Sequence, residues 1–418
     1  MPQPDRISGR VPQHKPTKAE RKQEKGARKR QRAQGVEPVD VNANGALAEE
    51  LEASLARIEA AATSQAAQTQ SLLEIASRTA SLWEGAERAL RLRRENVVPV
   101  REPLALICQA QRSGGTLLAR LFDGHPQCHA HPHELHIGAR RPHSRPHAWP
   151  DLRLDDSPDA LFGNLSEDYV PGFFTRGRRV IPMKAPNRSH KSVERHPFIL
   201  PPTLQRLIFL DEVERRSPIS SEREILDCYM TSLFNAWLDN QNLYTTDKRW
   251  VVAFSPRRAW GDGLERYFQI YPEGRMISIL RDPRSWYTSA QGRDPNADMA
   301  VLLDAWKRSA GEMLRATKEY GEQVCVVRFE QLVLDTTSAM KRLAEFLDIE
   351  YTPVLTVPTF NNFPFGANSS FETSEVGVVT APVDRYASVL SDEQQKRIAR
   401  ECHDLYQEAL ALTESSAS

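Results

Sequence analysis

Nowhere in these 418 residues do 18 apolar positions run together, so no segment reads as a membrane-spanning helix. The first residues also lack the apolar core of a secretory signal, and the expected location is cytoplasmic. Cysteine is scarce. Cys108, Cys128, Cys228, Cys325 and Cys402 are odd in number, widely spaced and never in a C-x-x-C pair. That excludes a disulfide framework and leaves ordinary buried thiols in a reducing compartment. Net charge is also absent, 55 Lys and Arg against 55 Asp and Glu, but the balance conceals an asymmetry. Residues 1–35 hold 11 basic against 3 acidic side chains, a net of +8, so the other 383 carry −8. No G-x-x-x-x-G-K-[ST] loop occurs, which disfavours a P-loop kinase or ATPase. Nothing repeats internally.

What is present divides the chain in three. Residues 1–40 are rich in Lys, Arg, Gln and Pro, and such a segment buries too little apolar surface to offset its ordering entropy. A disordered basic tail is expected, either merely solvated or in weak, salt-sensitive contact with anionic surfaces. Residues 44–95 contain no proline and carry Leu47, Leu51, Leu55 and Ile58 along one helical face, renewed by Leu72, Ile75, Leu82 and Trp83 after the polar stretch Thr63–Ser71. This helix would pair in a coiled coil as a homo-oligomer or pack on the body. Val97-Val98-Pro99-Val100 reads as a linker into a catalytic domain over residues 100–412.

In that domain, strand-like runs Leu104–Cys108, Trp250–Phe254, Met276–Leu280 and Val324–Phe329 alternate with helical stretches Glu222–Asp239, Gly263–Tyr271, Ala297–Tyr320 and Thr337–Leu347. Alternation of this kind predicts an α/β protein, three layers with a central parallel sheet. Ser391 and Gln394 predict a reciprocally capped helix over Ser391–Leu412. The insert from His136 to Ser221, rich in Pro, Arg and His, shows little periodicity.

Two segments carry the chemistry. Gln111-Arg112-Ser113-Gly114-Gly115-Thr116-Leu117 follows the first strand and opens a helix, with two glycines freeing backbone N–H groups to converge on an anion. Arg281-Asp282-Pro283-Arg284-Ser285-Trp286-Tyr287-Thr288-Ser289 follows another strand and sets Ser289 about two helical turns beyond Arg281. Each reads as a phosphate site at the carboxyl edge of a parallel sheet.

Together the segments resemble the sulfotransferase family, which moves a sulfuryl group from 3′-phosphoadenosine 5′-phosphosulfate (PAPS) to a hydroxyl. Asp123-Gly124-His125-Pro126 is similar to the D-[AG]-H-P of the tyrosylprotein and carbohydrate branches, and Arg328-Phe329-Glu330-Gln331-Leu332 to the family's R-[YF]-E-[DQ]-L. The resemblance implies a P-loop NTPase-like sulfotransferase fold with PAPS as co-substrate and no metal. It also implies that Arg112, Ser113, Gly114, Gly115, Thr116 and Leu117 hold the 5′-phosphosulfate, and Arg281 with Ser289 the 3′-phosphate. Arg112 would double as the charge stabiliser in the transition state.

Glu134, in a strand-like segment Cys128-His129-Ala130-His131-Pro132-His133-Glu134-Leu135 that follows Asp123–Pro126, resembles in position the catalytic glutamate of those branches, with His133 and His136 as alternative bases. Seven of the eleven histidines, His125, His129, His131, His133, His136, His143 and His147, fall within 23 residues. Loop surface or acceptor contacts are the expectation for them rather than a metal, because no cysteine or carboxylate beyond Glu134 joins them. One departure stands out: Phe254 occupies the place of a family Lys, and Lys184 is a candidate substitute. Trp286 and Tyr287 read better as core than as neighbours of adenine. The sequence therefore supports a PAPS-dependent enzyme, with a catalytically weak nucleotide-binding scaffold as the alternative.

Overall fold

All four residues of β1 (Leu104–Ile107) are buried. A strand with no polar alternation must be covered on both faces, and the chain supplies both covers. Leu104 and Leu106 pack with Ile208, Phe209, Leu233 and Met276. Ala105 and Ile107 pack with Leu118, Leu121, Val252 and Met340 on the opposite side. The computed structural model describes residues 41–138, 148–165, 178–179, 195–196, 198–245, 247–365, 377–380 and 383–415. The expectations for residues 1–40, Lys184, His143 and His147 lie outside that set.

The chain order continues with β2 (Cys128–Ala130), a two-residue ladder of β3 (Arg178–Arg179) and β4 (Arg195–His196), then β5 (Trp250–Phe254), β6 (Arg275–Leu280) and β7 (Val324–Arg328). A last small ladder joins β8 (Thr359–Phe360) and β9 (Phe363–Pro364). The main sheet runs β2-β5-β1-β6-β7, and every neighbouring pair in it is parallel. This is the expected α/β three-layer architecture. β1 sits at its centre, so the turns leaving β1, β5 and β6 emerge side by side at one edge.

Helix ends follow their caps. Ser221 accepts from the Glu224 N–H and starts Glu222–Ala236; Asp298 starts Met299–Tyr320. Ser391 and Gln394 form the reciprocal box at 3.2 and 3.0 Å before Asp392–Ser415. Within the His136–Ser221 insert the described residues hold two helices that the sequence did not show, Pro158–Leu165 and Pro202–Arg216. Leu204, Ile208, Phe209 and Val213 do have helical spacing, hidden by the surrounding prolines and arginines, and they bury against Glu222–Ala236. All five cysteines are free and buried.

Two compact units result, Met1–Gly85 and Ala86–Ser418. The first holds most of a continuous helix, Val41–Glu95. Its polar stretch does not break it: the hydroxyls of Thr63, Thr69 and Ser71 bond back to the carbonyls of Glu59, Gln65 and Ala67 on their own helix. Leu51, Leu55, Ile58, Leu72, Ile75, Leu82 and Trp83 are all more than half exposed.

The second unit begins earlier than the sequence suggested. Val97–Val100 is no free linker: the Val98 and Val100 N–H groups donate to Asn235 Oδ1 and Thr231 Oγ1, and Val100 is fully buried. Ahead of it, Arg93 donates to the Leu238 carbonyl at 2.8 Å and Arg94 pairs with Asp211. A chain truncated to start at Ala86 is therefore expected to unfold at the midpoint of the full chain. One starting at Asn96 should lose about 0.5–1.5 kcal/mol for each of these hydrogen bonds. Thermal unfolding of the two truncated proteins checks this, and equal midpoints would show the Arg93 and Arg94 contacts to be inert.

Candidate active site

The turns after β1 and β6 meet over one cavity of about 590 Å³, within the range of small-ligand sites. Arg112, Gly114, Gly115, Thr116 and Leu117 line it from the first turn, Arg281 and Ser289 from the second, and Glu134 from the segment after β2. Ser113, also in the first turn, is buried and does not line it.

Each turn is shaped by its residues. Gly114 adopts φ 100°, and Arg112, without a glycine's freedom, is held at φ 72°. The strain has a brace: Arg281 Nη1 donates to the Arg112 carbonyl at 2.7 Å. Arg281 also donates from Nε to Ser285 Oγ at 2.9 Å and stacks 4.0 Å over the Phe329 ring. In the second turn Asp282 caps the helix Pro283–Arg293, accepting from the Arg284 and Ser285 N–H groups, with Pro283 at the first helical position. Ser289, two turns on, faces the first turn, and Arg112 Nε donates to its Oγ at 3.3 Å. The predicted pair thus lies at one site, but the direct contact seen for Ser289 is with Arg112.

Electrostatics favour an anion here. Burial lowers the pKa of Arg281 to about 10, partly offset by Glu330 and reinforced by Arg112. Burial also lowers that of Arg112, aided by Arg293 and opposed by Glu134. Two desolvated cations that repel one another gain most when a phosphate enters between them. Ser285, Phe329 and Glu330, which accepts from the Asp282 N–H at 3.0 Å, are supports that motif spacing alone did not single out.

Glu134 Oε2 lies 3.1 Å from His136 Nε2, so the expected base and one of its alternatives form a pair. His133 is buried with Nδ1 at 2.7 Å from the Glu134 carbonyl oxygen, and His131 Nδ1 stands 2.7 Å from that of His133. His125, His129, His131 and His133 are buried, contrary to the expectation of loop surface. The segment runs beside β5, with Cys128–Ala130 paired to Trp250–Val252, which puts these rings in the interior. Burial drives the His129 pKa to about 3, leaving it neutral. Among the described residues no cluster of three metal-ligating side chains forms.

The Asp123-Gly124-His125-Pro126 segment proves structural. Asp123 Oδ2 accepts from Thr359 Oγ1 at 2.7 Å and the Asn362 N–H at 3.0 Å, while His125 Nε2 sits 2.8 Å from the Glu350 carbonyl oxygen. Trp286 and Tyr287 are buried as core residues, although Trp286 also reaches the cavity wall.

Phe254 has a spatial explanation. A Cβ at position 115 would stand 2.3 Å from the Phe254 ring and 2.5 Å from the Gln109 amide. The ring fills the space beneath the turn, so Phe254 requires a glycine at position 115.

The central strand of a parallel α/β sheet thus ends in an arginine–glycine turn that faces a second, arginine–serine turn across one cavity. The model described as "Sulfotransferase family" matches residues 183–353, a stretch that includes Arg281, Ser289 and Arg328–Leu332. Over that stretch, and with its motifs in that family's order, this chain is similar to the sulfotransferase family. The turn at Arg112 and Glu134 precede the matched stretch. No curated protein matches the chain. Similar solved structures include the sulfotransferase domain of the curacin biosynthetic pathway, at 17% identity and TM-score 0.40, covering 74% of this chain and 99% of that one. A sulfotransferase of Alicyclobacillus acidocaldarius follows at 15% identity and TM-score 0.32, covering 76% and 96%. Retinol dehydratase, solved with androsterone and the inactive cofactor PAP, shows 12% identity and TM-score 0.34 over 73% and 81%.

Proposed function

We propose that this chain transfers the sulfuryl group of PAPS to an acceptor hydroxyl. The observation that carries the reading is the convergence of Arg112, Arg281, Ser289 and Glu134 on one cavity. In this reading the acceptor oxygen attacks sulfur in line, and a new O–S bond forms as the bond from sulfur to the 5′-phosphate oxygen breaks. Glu134 takes the hydroxyl proton, and 3′,5′-bisphosphoadenosine (PAP) departs. Arg112 reaches from the first turn to Ser289 in the second, a position suited to neutralising charge on the sulfonate and leaving oxygens. Its planar fork suits two oxygens at once. As in phosphoryl transfer, the protein's part is alignment and charge rather than covalent chemistry.

A catalytically weak nucleotide-binding scaffold is the second reading, favoured only by Phe254 in place of a lysine. Thermal unfolding with PAPS, PAP or ATP tests both. A native-state ligand at a hundredfold its Kd adds about 2.7 kcal/mol of stability. PAPS and PAP are expected to raise the midpoint and ATP to have little effect. Binding without PAP production over a panel of hydroxyl acceptors would favour the scaffold, and preference for ATP would overturn the sulfuryl-transfer reading.

A further inference from the structure

The cavity holds more positive charge than the nucleotide turns use. Among its described lining residues are six arginines, Arg112, Arg120, Arg257, Arg281, Arg293 and Arg385, against two carboxylates, Glu134 and Asp294. Arg112 and Arg281 belong to the nucleotide turns. Arg120 is buried beneath the cavity, bonded to the Pro132 carbonyl and stacked against Phe360 and Phe365. Arg257 and Arg293 differ from it: both are exposed at the rim, and neither has an ion pair among the described residues.

Two observations set Arg257 apart from an ordinary surface cation. Its backbone lies at φ 62°, in the left-handed region that disfavours a side chain. Among the described lining residues Arg112 is the other non-glycine at positive φ, so both strained arginines follow neighbouring strands, β5 and β1, and line the same space. Strain of this kind concentrates at functional sites. The second observation is like-charge crowding. The guanidinium of Arg257 stands 5.6 Å from the centre of the Trp260 ring, and that of Arg308 5.3 Å from the same ring. Partial desolvation of its guanidinium, and after that the charge of Arg308, lower the Arg257 pKa although the residue is exposed. Arg293, in the last turn of its helix, depresses the pKa of Arg112 in the same way. An anion would relieve both repulsions.

We propose that Arg257 and Arg293 bind an anionic group of the acceptor, so that the preferred acceptor carries a phosphate or carboxylate besides the hydroxyl that is sulfated. This inference rests on the sulfuryl-transfer reading. Guanidinium forks match the paired oxygens of either anion.

The test uses the full chain saturated with PAP, at fixed ionic strength so that general screening is constant. Glucose, glucose 6-phosphate, glucuronate and inorganic phosphate are titrated by calorimetry. Glucose 6-phosphate and glucuronate are expected to bind saturably and glucose not to bind, the stronger of the two telling phosphate from carboxylate. Arg257→Ala and Arg293→Ala should each weaken the anionic sugars about tenfold, the low end for a lost charge-assisted hydrogen bond. Arg257→Gly should lose the same binding while raising the thermal midpoint by about 1–2 °C through relief of the left-handed backbone, an effect unlike that of a merely structural residue. Equal affinity for glucose and glucose 6-phosphate, no anion binding, or anion binding unchanged in the double variant would overturn the proposal. Failure of PAP itself to bind would overturn the sulfuryl-transfer reading instead.

Discussion

Replacing Glu134 with Gln is expected to lower turnover by about 10²–10⁴ and to leave PAPS affinity within a few-fold of the wild type. The amide keeps the shape of the carboxylate but cannot accept the acceptor's proton. Its neighbour complicates the result, because His136 Nε2 lies 3.1 Å from Glu134 Oε2. Two companion variants resolve it. His136→Asn should cost much less than Glu134→Gln if the imidazole only orients the carboxylate. His133→Asn should act through stability, since the ring is buried and bonded to backbone. Turnover that survives Glu134→Gln but not a histidine replacement would make a histidine the base. Single-turnover measurement with bound PAPS separates these outcomes from changes in nucleotide affinity.

Arg281→Ala is expected to weaken PAPS by about 1.5–3 kcal/mol, the range for a charge-assisted hydrogen bond. That is about 10- to 150-fold in Kd. Adenosine 5′-phosphosulfate, which lacks the 3′-phosphate, is the control. The structure adds a second route for the loss, because Arg281 also braces the Arg112 carbonyl and hence the strained first turn. Both nucleotides should therefore weaken, PAPS by the larger factor, and the difference reports the 3′-phosphate contact. Equal factors would assign Arg281 to turn support alone. Ser289→Ala removes the hydroxyl that accepts from Arg112 and leaves the brace, so its effect on the two nucleotides should differ more cleanly.

Local rules account for what was legible in the chain. Strands buried on both faces must be continuous apolar runs, so β1, β5, β6 and β7 showed themselves within one residue of their ends. The capped helix after Ser391 was equally plain, since two side chains three residues apart close that box whatever surrounds them. The helix Pro202–Arg216 was not legible: its apolar face is interleaved with charge and framed by proline, and only burial against Glu222–Ala236 shows which residues face inward. Composition misled at the histidines. Imidazole serves equally well on a loop or in a core, and only the path of the segment beside β5 buries four of them.

The site divides along the same line. By itself the sequence determined the two turns, their residue types and the eight-residue interval from Arg281 to Ser289, because glycine turns and helix starts obey chemistry within a few residues. The tertiary structure alone decided what those turns do to each other. It set Arg281 beneath the Arg112 carbonyl, Ser289 on the Arg112 guanidinium, Glu134 beside His136 and the Phe254 ring under Gly115. Apart from Glu134 and His136, which share one segment, those contacts join residues that end or follow different strands and lie far apart in the chain. Their distances depend on strand order and register, which are settled by the burial of the whole sheet and not by any one segment.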